Sequence, residues 1–193
     1  MRGWITAVGV AGVAVAVSGC GTPAVSPQSD TDASLTTTMR MPRYVDNSDR
    51  PRVTFDPCLD IPDSALIEAG YDPASEENAD FKGGSYTFLG CSYDTPERRY
   101  GMNVLSGNVS FAEEQEKSSA FATPIEINGR RALLKFNPAV RNACDLSIET
   151  SDGFLGFTRR LVVDYAGPAP EPEWCAGLED TARIFERYIP KES

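Results

Sequence analysis

The spacing of the cysteines constrains the fold of this chain more than any other feature. Five cysteines are present among 193 residues. Cys58, Cys91, Cys144 and Cys175 form an even set, and none belongs to a Cys-x-x-Cys motif that would indicate a redox centre or a zinc knuckle. The set therefore predicts two structural disulfides formed in an oxidising compartment. Of the three pairings, we favour Cys58 with Cys91 and Cys144 with Cys175, because each closes a local loop and ties one element to its neighbour.

The fifth cysteine, Cys20, ends an N-terminal segment that is typical of a secretory signal. Arg2 is followed by an apolar run from Trp4 to Val17, too short to span a bilayer, and then by Ser18-Gly19-Cys20. This segment resembles the lipobox of bacterial lipoproteins, in which the cysteine takes a diacylglyceryl group and becomes the first residue after cleavage. The resemblance implies a signal peptide over residues 1–19, lipidation of Cys20 and a position on the outer face of the cell membrane. An ordinary cleaved signal with an unrelated cysteine is the alternative.

Composition divides the remainder into a linker and one domain. Residues 20–52 are the lipidated cysteine and a stretch rich in Ser, Thr, Pro and Asp with few large apolar residues, which predicts disorder. Residues 53–193 are long enough for one domain with its own core. They carry 24 acidic and 13 basic residues, a net charge of −11. Such a charge disfavours nucleic acid and direct contact with acidic lipid as partners.

The chain contains no histidine, which removes several classes of function. Ser-His-Asp and Cys-His catalysis, His-ligated zinc or haem, and an imidazole pH switch all require that residue. Gly83-Gly84-Ser85 lacks the spacing of a nucleophile elbow or a phosphate loop. We therefore expect neither enzyme activity nor a cofactor. An activity that uses only carboxylates remains an alternative, because two acidic residues can hydrolyse a glycoside without histidine.

Three aspartates near the start of the domain are the residues that most resemble a metal-binding motif. Asp56, Asp60 and Asp63 lie close together, but their spacing matches no EF-hand loop. Helix capping explains two of them. We therefore predict no metal site.

Alternation of apolar and polar residues predicts six strands. They cover residues 85–94, 99–105, 125–127, 131–136, 144–148 and 154–165. Between the third and fourth, Asn128-Gly129 favours a type I′ hairpin turn. Capping and apolar spacing predict helices from Asp60 to Gly70, from Ser110 to Lys117 and from Cys175 to Ile189. This order predicts an α+β fold: a mostly antiparallel sheet of about six strands, helices packed on one face, and two disulfides.

The residues around the cysteines also resemble one protein family. Phe55-Asp56-Pro57-Cys58 opens the domain, Cys91-Ser92-Tyr93 lies in a predicted strand, and Cys175 begins the last helix. The pattern resembles actinobacterial lipoproteins of the mycobacterial and nocardial type, whose extracytoplasmic domain has no known function. It covers about Val53 to Tyr188; where that family often has tryptophan two residues after the second cysteine, this chain has Tyr93. The resemblance implies location and architecture, and it carries over no catalytic residue.

Three arginine pairs supply the candidate ligand residues. They are Arg98-Arg99, Arg130-Arg131 and Arg159-Arg160. Neighbours on a strand point to opposite faces, so only one arginine of each pair can share a surface. Arg99, Arg131 and Arg160 are the predicted set, a basic patch suited to a phosphate, a carboxylate or an acidic glycan. Scattered salt bridges are the alternative.

These features favour a membrane-anchored, non-enzymatic binding module whose partner is an envelope protein, a glycan or a lipid. A cell-wall glycan hydrolase that uses two carboxylates is one alternative. A lipid or glycolipid carrier with a large apolar cavity between helices and sheet is another. A deep acidic cleft would favour the hydrolase, a large apolar cavity the carrier, and a filled core with shallow surfaces the module.

Overall fold

Eight strands form one antiparallel sheet in the computed structural model, which describes residues 49–162 and 171–191. They are β1 (Glu77–Asn78), β2 (Phe81–Gly83), β3 (Tyr86–Asp94), β4 (Tyr100–Gly107), β5 (Ala122–Ile127), β6 (Arg130–Lys135), β7 (Ala143–Thr150) and β8 (Gly153–Leu161). Their order is β1-β3-β4-β8-β7-β6-β5, with β2 also paired to β3. The predicted signal peptide, Cys20 and the linker as far as residue 48 lie outside the described residues.

The predicted antiparallel sheet is confirmed, but about six strands was too few. Each of the six predicted segments overlaps one strand from β3 to β8, and residues 163–165 of the last segment lie outside the described residues. The two that were missed, β1 and β2, are two and three residues long. Segments that short show no alternation, and they exist because the edge of β3 offers them hydrogen bonds. The predicted hairpin turn is present, with positive φ angles of 49° at Asn128 and 90° at Gly129.

The α-helices within the described ranges are short. They are α1 (Pro57–Asp60), α2 (Asp63–Glu68), α3 (Phe111–Ser118), α4 (Glu171–Trp174) and α5 (Leu178–Glu186), with a 3-10 turn at Pro73–Ser75. The helix predicted from Asp60 is thus two helices. Asp56 caps the first by accepting from the Cys58 N–H at 3.1 Å, and Pro62 precedes the second. None of these helices has the length and apolar character needed to cross a membrane.

The helices lie on both faces of the sheet, which corrects the prediction that they share one. We call the side that carries Val104, Leu146 and Phe157 the first face; α1, α2 and α5 contribute to the core on that side. Helix α3 packs on the second face, where Phe111 joins a separate apolar cluster. The cause is visible in β6, in which neighbouring residues are buried on opposite sides and both sides therefore need cover. 

The first face holds the main core. The apolar side of α5 supplies Leu178, Ala182 and Phe185, each with none of its surface exposed. Two disulfides fasten the outer elements to the sheet: Cys58–Cys91 ties α1 to β3, with Cα atoms 5.6 Å apart, and Cys144–Cys175 ties β7 to the segment before α5, with Cα atoms 5.1 Å apart. The predicted pairing is confirmed.

Candidate ligand-binding groove

Glycine occupies four positions on the second face of β3, β4 and β8, and one of them, Gly156, lines a hollow on that face. These positions are Gly90, Gly101, Gly107 and Gly156. The register sets Gly107 between Phe88 and Phe154 on the neighbouring strands. A Cβ atom at Gly107 would overlap the ring of Phe88, and one at Gly90 would overlap the side chain of Leu105. The glycines thus allow the neighbouring side chains to lie flat on the sheet.

Aromatic rings form one wall of this hollow. Phe81 on β2 pairs with Phe88 on β3, and their ring centres are 6.2 Å apart. The ring of Phe88 also meets Tyr86 at 5.9 Å and Phe154 at 5.8 Å. These spacings are those of favourable aromatic pairs. Because 52% of Phe81 is exposed, the aromatic surface opens to solvent.

Helix α3 forms the opposite wall. It begins with a capping box, in which the Ser110 side chain accepts from the backbone N–H of Glu113 and the Glu113 side chain accepts in return from the N–H of Ser110. Phe111 fixes the helix to the sheet by packing with Leu133 and Phe154. The helix therefore presents the buried Glu114 toward the hollow.

Polar groups lie next to Phe154, and the Lys135 Nζ is 5.8 Å from the centre of the Phe154 ring. Lys135 is hydrogen-bonded to Glu114, and its Nζ also donates to Ser147 Oγ at 2.9 Å. The side chains of Lys135 and Glu114 are only 11% and 10% exposed. Thr158 Oγ1 donates to Asp145 Oδ1 at 2.6 Å. Each buried charge therefore has a partner, as stability requires.

Together these walls enclose a groove of about 450 Å³. Its lining includes the aromatic residues Phe81, Tyr86, Phe88 and Phe154, the aliphatic residues Leu105 and Val109, and the polar residues Arg50, Glu113, Glu114, Lys117, Lys135, Asp145 and Thr158. Three cations and three carboxylates are among them, so the lining is electrically neutral in a strongly acidic domain. The volume lies within the range of small-molecule sites.

Glu113 closes the rim of the groove. Both of its carboxylate oxygens accept from the Arg50 guanidinium at 2.8 Å. Those bonds, followed by the bonds from Ser110, hold the pKa of the Glu113 carboxyl well below its usual range. The rim acid is therefore ionised and engaged at neutral pH.

A family model for proteins of unknown function, DUF3558, matches residues 15–187. This chain belongs to the DUF3558 family. No curated protein and no solved structure matches it. The function of the family is unknown. The geometry of the groove is therefore the basis for a function of this DUF3558 domain.

The structure does not bring the three predicted arginines of the DUF3558 domain together. Arg99 is bound to Glu173, and Arg131 donates to Glu149 at 3.1 Å. Arg160 shares the second face with Arg131 but lies near the other end of the sheet. The β8 residue paired with Glu149 precedes Arg160 by six positions, which is about 20 Å of strand.

The aspartates and cysteines at the start of the domain have structural roles. The N–H of Asp56 donates to Asp60 Oδ2 at 2.7 Å, so both acids organise the first helix. Within the described residues, the one group of three metal-type side chains in mutual reach is Cys58, Glu76 and Cys91. Its two sulfur atoms are joined in a disulfide.

No residue of the groove was among the site residues predicted from the sequence. Strand propensity accounts for the aromatic residues of β3 and β8, and helix capping accounts for Ser110 and Glu113. One signal was present in the sequence: Gly90 and Gly156 lie inside predicted strands, next to Leu89 and Leu155. Glycine in a strand interior marks a place where other groups approach the backbone.

Proposed function

We propose that this DUF3558 protein is a cell-envelope lipoprotein of the actinobacterial type whose domain binds a ligand in the groove and catalyses no reaction. A diacylglyceryl group on Cys20 would hold it at the outer face of the cell membrane. The observation that carries the binding role is the groove itself, in which aromatic rings, one of them 52% exposed, line the same cavity as hydrogen-bonded polar groups.

The N-terminal sequence supports the anchor. Ser18-Gly19-Cys20 follows a short apolar run, and the span matched by the family model begins ahead of it, at residue 15. Two acyl chains bind a membrane firmly, since each buried CH₂ contributes about 0.8 kcal/mol. A flexible linker of roughly thirty residues would let the domain stand on the order of 30 Å from the bilayer.

Two of the three carboxylates that line the groove argue against a hydrolase. Glu114 is paired with Lys135, and Glu113 with Arg50. A glycosidase needs one carboxylic acid that stays protonated to act as general acid. The lowered pKa of Glu113 is the opposite of that requirement.

The first face argues against a lipid carrier. A carrier would need a large apolar cavity between the helices and the sheet. In that layer Leu178, Ala182 and Phe185 of α5 are fully buried, and Phe185 packs on Phe157 with ring centres 5.9 Å apart. The space is filled by side chains, which favours binding at the second face.

Membrane fractionation of wild type and Cys20→Ala tests the anchor. We expect wild type in the membrane fraction, labelled by radioactive palmitate, and the variant unlabelled and released. Equal amounts of both proteins in the membrane fraction would contradict the proposal. Incubation of the wild-type protein with peptidoglycan and arabinogalactan tests the absence of catalysis, and a release of reducing ends that depends on Glu114 would favour the hydrolase instead.

A further inference from the structure

We propose that the groove binds a neutral sugar ring of a glycan, with one face of the ring on the aromatic wall and its hydroxyl groups toward the buried polar groups. This inference rests on the binding role proposed above and gives it a ligand class. Three features carry it: the charge of the lining, the arrangement of its apolar and polar parts, and the unused hydrogen-bonding capacity of the buried groups.

The charge of the lining selects an uncharged ligand. Three cations, Arg50, Lys117 and Lys135, stand with the three carboxylates Glu113, Glu114 and Asp145 around the groove. The rest of the domain is acidic, so an anion approaching it is repelled. A cation, in turn, would have to compete with the ammonium of Lys135 and the guanidinium of Arg50, which already hold two of the carboxylates.

The arrangement of apolar and polar groups matches a sugar ring. Phe81 and Phe88 lie in the row of Phe154, while Asp145 pairs with Thr158 four positions further along β8. The Lys135 ammonium lies between them, 5.8 Å from the centre of the Phe154 ring. A pyranose ring has an apolar face of C–H groups and an edge of hydroxyl groups, so both kinds of group would be matched at once. A saturated acyl chain would cover the polar groups without bonding them, which costs free energy.

The buried polar groups have bonding capacity left for hydroxyl groups. Lys135 has three N–H donors, and its bonds to Glu114 and Ser147 use two of them. Among the described residues, Asp145 accepts through Oδ1 only, from Thr158. A hydroxyl group donates and accepts, so one ligand hydroxyl can accept from Lys135 while another donates to Asp145.

The floor of the groove gives the ring room to lie flat. Gly156 lies on β8 between Phe154 and Thr158, and its missing side chain leaves space between them. A Cβ atom there would come within 3.0 Å of the Phe154 ring. The substitution Gly156→Ala therefore places a methyl group at the position that the sugar ring would occupy.

The test uses the full acylated chain in lipid nanodiscs and saturation-transfer NMR with four soluble probes. Maltohexaose and mannohexaose are the neutral glycans, a hyaluronan hexasaccharide is the anionic glycan, and octanoate is the acyl chain; empty nanodiscs are the blank. We expect the neutral glycans to bind, with transfer strongest at the C–H hydrogens of one ring face. Phe88→Ala, Thr158→Val and Gly156→Ala should each weaken that binding by about tenfold.

Two matched variants serve as controls. Leu59→Ala removes an apolar side chain that is 51% exposed on α1, and Thr123→Val removes a hydroxyl group on β5. Neither residue lines the groove. Both variants should bind the neutral glycans as wild type does, and circular dichroism melting curves identify any variant that has lost its fold.

The outcomes separate this inference from the proposed function. If hyaluronan or octanoate alone gives transfer that Phe88→Ala removes, the neutral sugar is wrong and the binding role stands. If no probe gives transfer that Phe88→Ala removes, both the glycan and the binding role proposed for the groove are contradicted. Loss of neutral-glycan binding in the groove variants, with binding kept in the controls, supports both.

Discussion

At the scale of single residues, the second face is organised by charges that reach across elements. Lys135 comes from β6, Glu114 from α3 and Ser147 from β7, and their side chains meet under the groove. No sequence pattern predicts such a contact, because 21 positions separate Lys135 from Glu114. A lysine in an alternating strand is normally assigned to solvent, whereas here the helix covers it.

The buried pair should matter far more to stability than the exposed pairs. Lys135→Met leaves the Glu114 carboxylate without its partner, which should lower the free energy of unfolding by about 3 kcal/mol. Urea denaturation of the full chain measures the change. Arg183→Met is the control, because Arg183 and Glu179 have side chains 44% and 43% exposed and exposed pairs contribute about 0–1 kcal/mol. Equal losses in the two variants would show that the Lys135 pair is not shielded from water.

Tyr93 gives the domain a predicted sensitivity to alkali. Burial, and then the adjacent Glu76 carboxylate, raise the pKa of this phenol, whose hydroxyl donates to Glu76 Oε2 at 3.0 Å. The unfolded chain would ionise near the usual value of about 10, while the folded state keeps the neutral phenol. The contribution to stability is therefore complete below about pH 10 and is lost as pH rises toward the folded-state pKa.

Replacing Tyr93 by phenylalanine should flatten that alkaline loss. The measurement is the urea midpoint of wild type and Tyr93→Phe between about pH 8 and pH 12. Tyr71 also has a pKa raised by burial, so the variant should keep part of the slope. Parallel curves for the two proteins would mean that Tyr93 ionises equally in the folded and unfolded states.

At the scale of elements, the sequence pattern predicted the long strands. It did not predict which face of the sheet each helix covers. Strands β3 to β8 were predicted because each has six or more residues with a clear pattern. The run Ala132-Leu133-Leu134 in β6 indicates burial but does not say which helix covers which side. Leu133 packs against Phe111 of α3, so this helix covers the second face. The prediction that all helices pack on one face did not include this contact.

Each disulfide should stabilise mainly the element that it joins to the sheet. Replacing both Cys144 and Cys175 by alanine removes a disulfide between residues that are 31 positions apart. The free energy of unfolding should fall by about 3 to 4 kcal/mol, because the unfolded chain is no longer constrained by that loop. Amide hydrogen exchange should rise most in α5, which begins three positions after Cys175. Removing Cys58 and Cys91 instead should raise exchange first in α1. The same exchange pattern in both double variants would contradict this local role.

At the scale of the whole molecule, the groove depends on contacts that only the completed sheet creates. Phe88, Gly107 and Phe154 form one row across three strands, although 66 positions separate the first from the last. The cysteine pairing was predictable because it is local along the chain. The groove was not, because its residues become neighbours only through the order β3-β4-β8.

Site-directed photocrosslinking in cells tests most directly the claim that a tethered domain binds its ligand at this groove. Benzoylphenylalanine replaces Phe81, 52% exposed at the groove, or Val140, 45% exposed and outside its lining, in the full acylated chain. We predict a covalent adduct of raised mass at position 81, reduced by Thr158→Val, and none at position 140. Equal adducts at the two positions, or an adduct at position 81 that Thr158→Val leaves unchanged, would contradict the account.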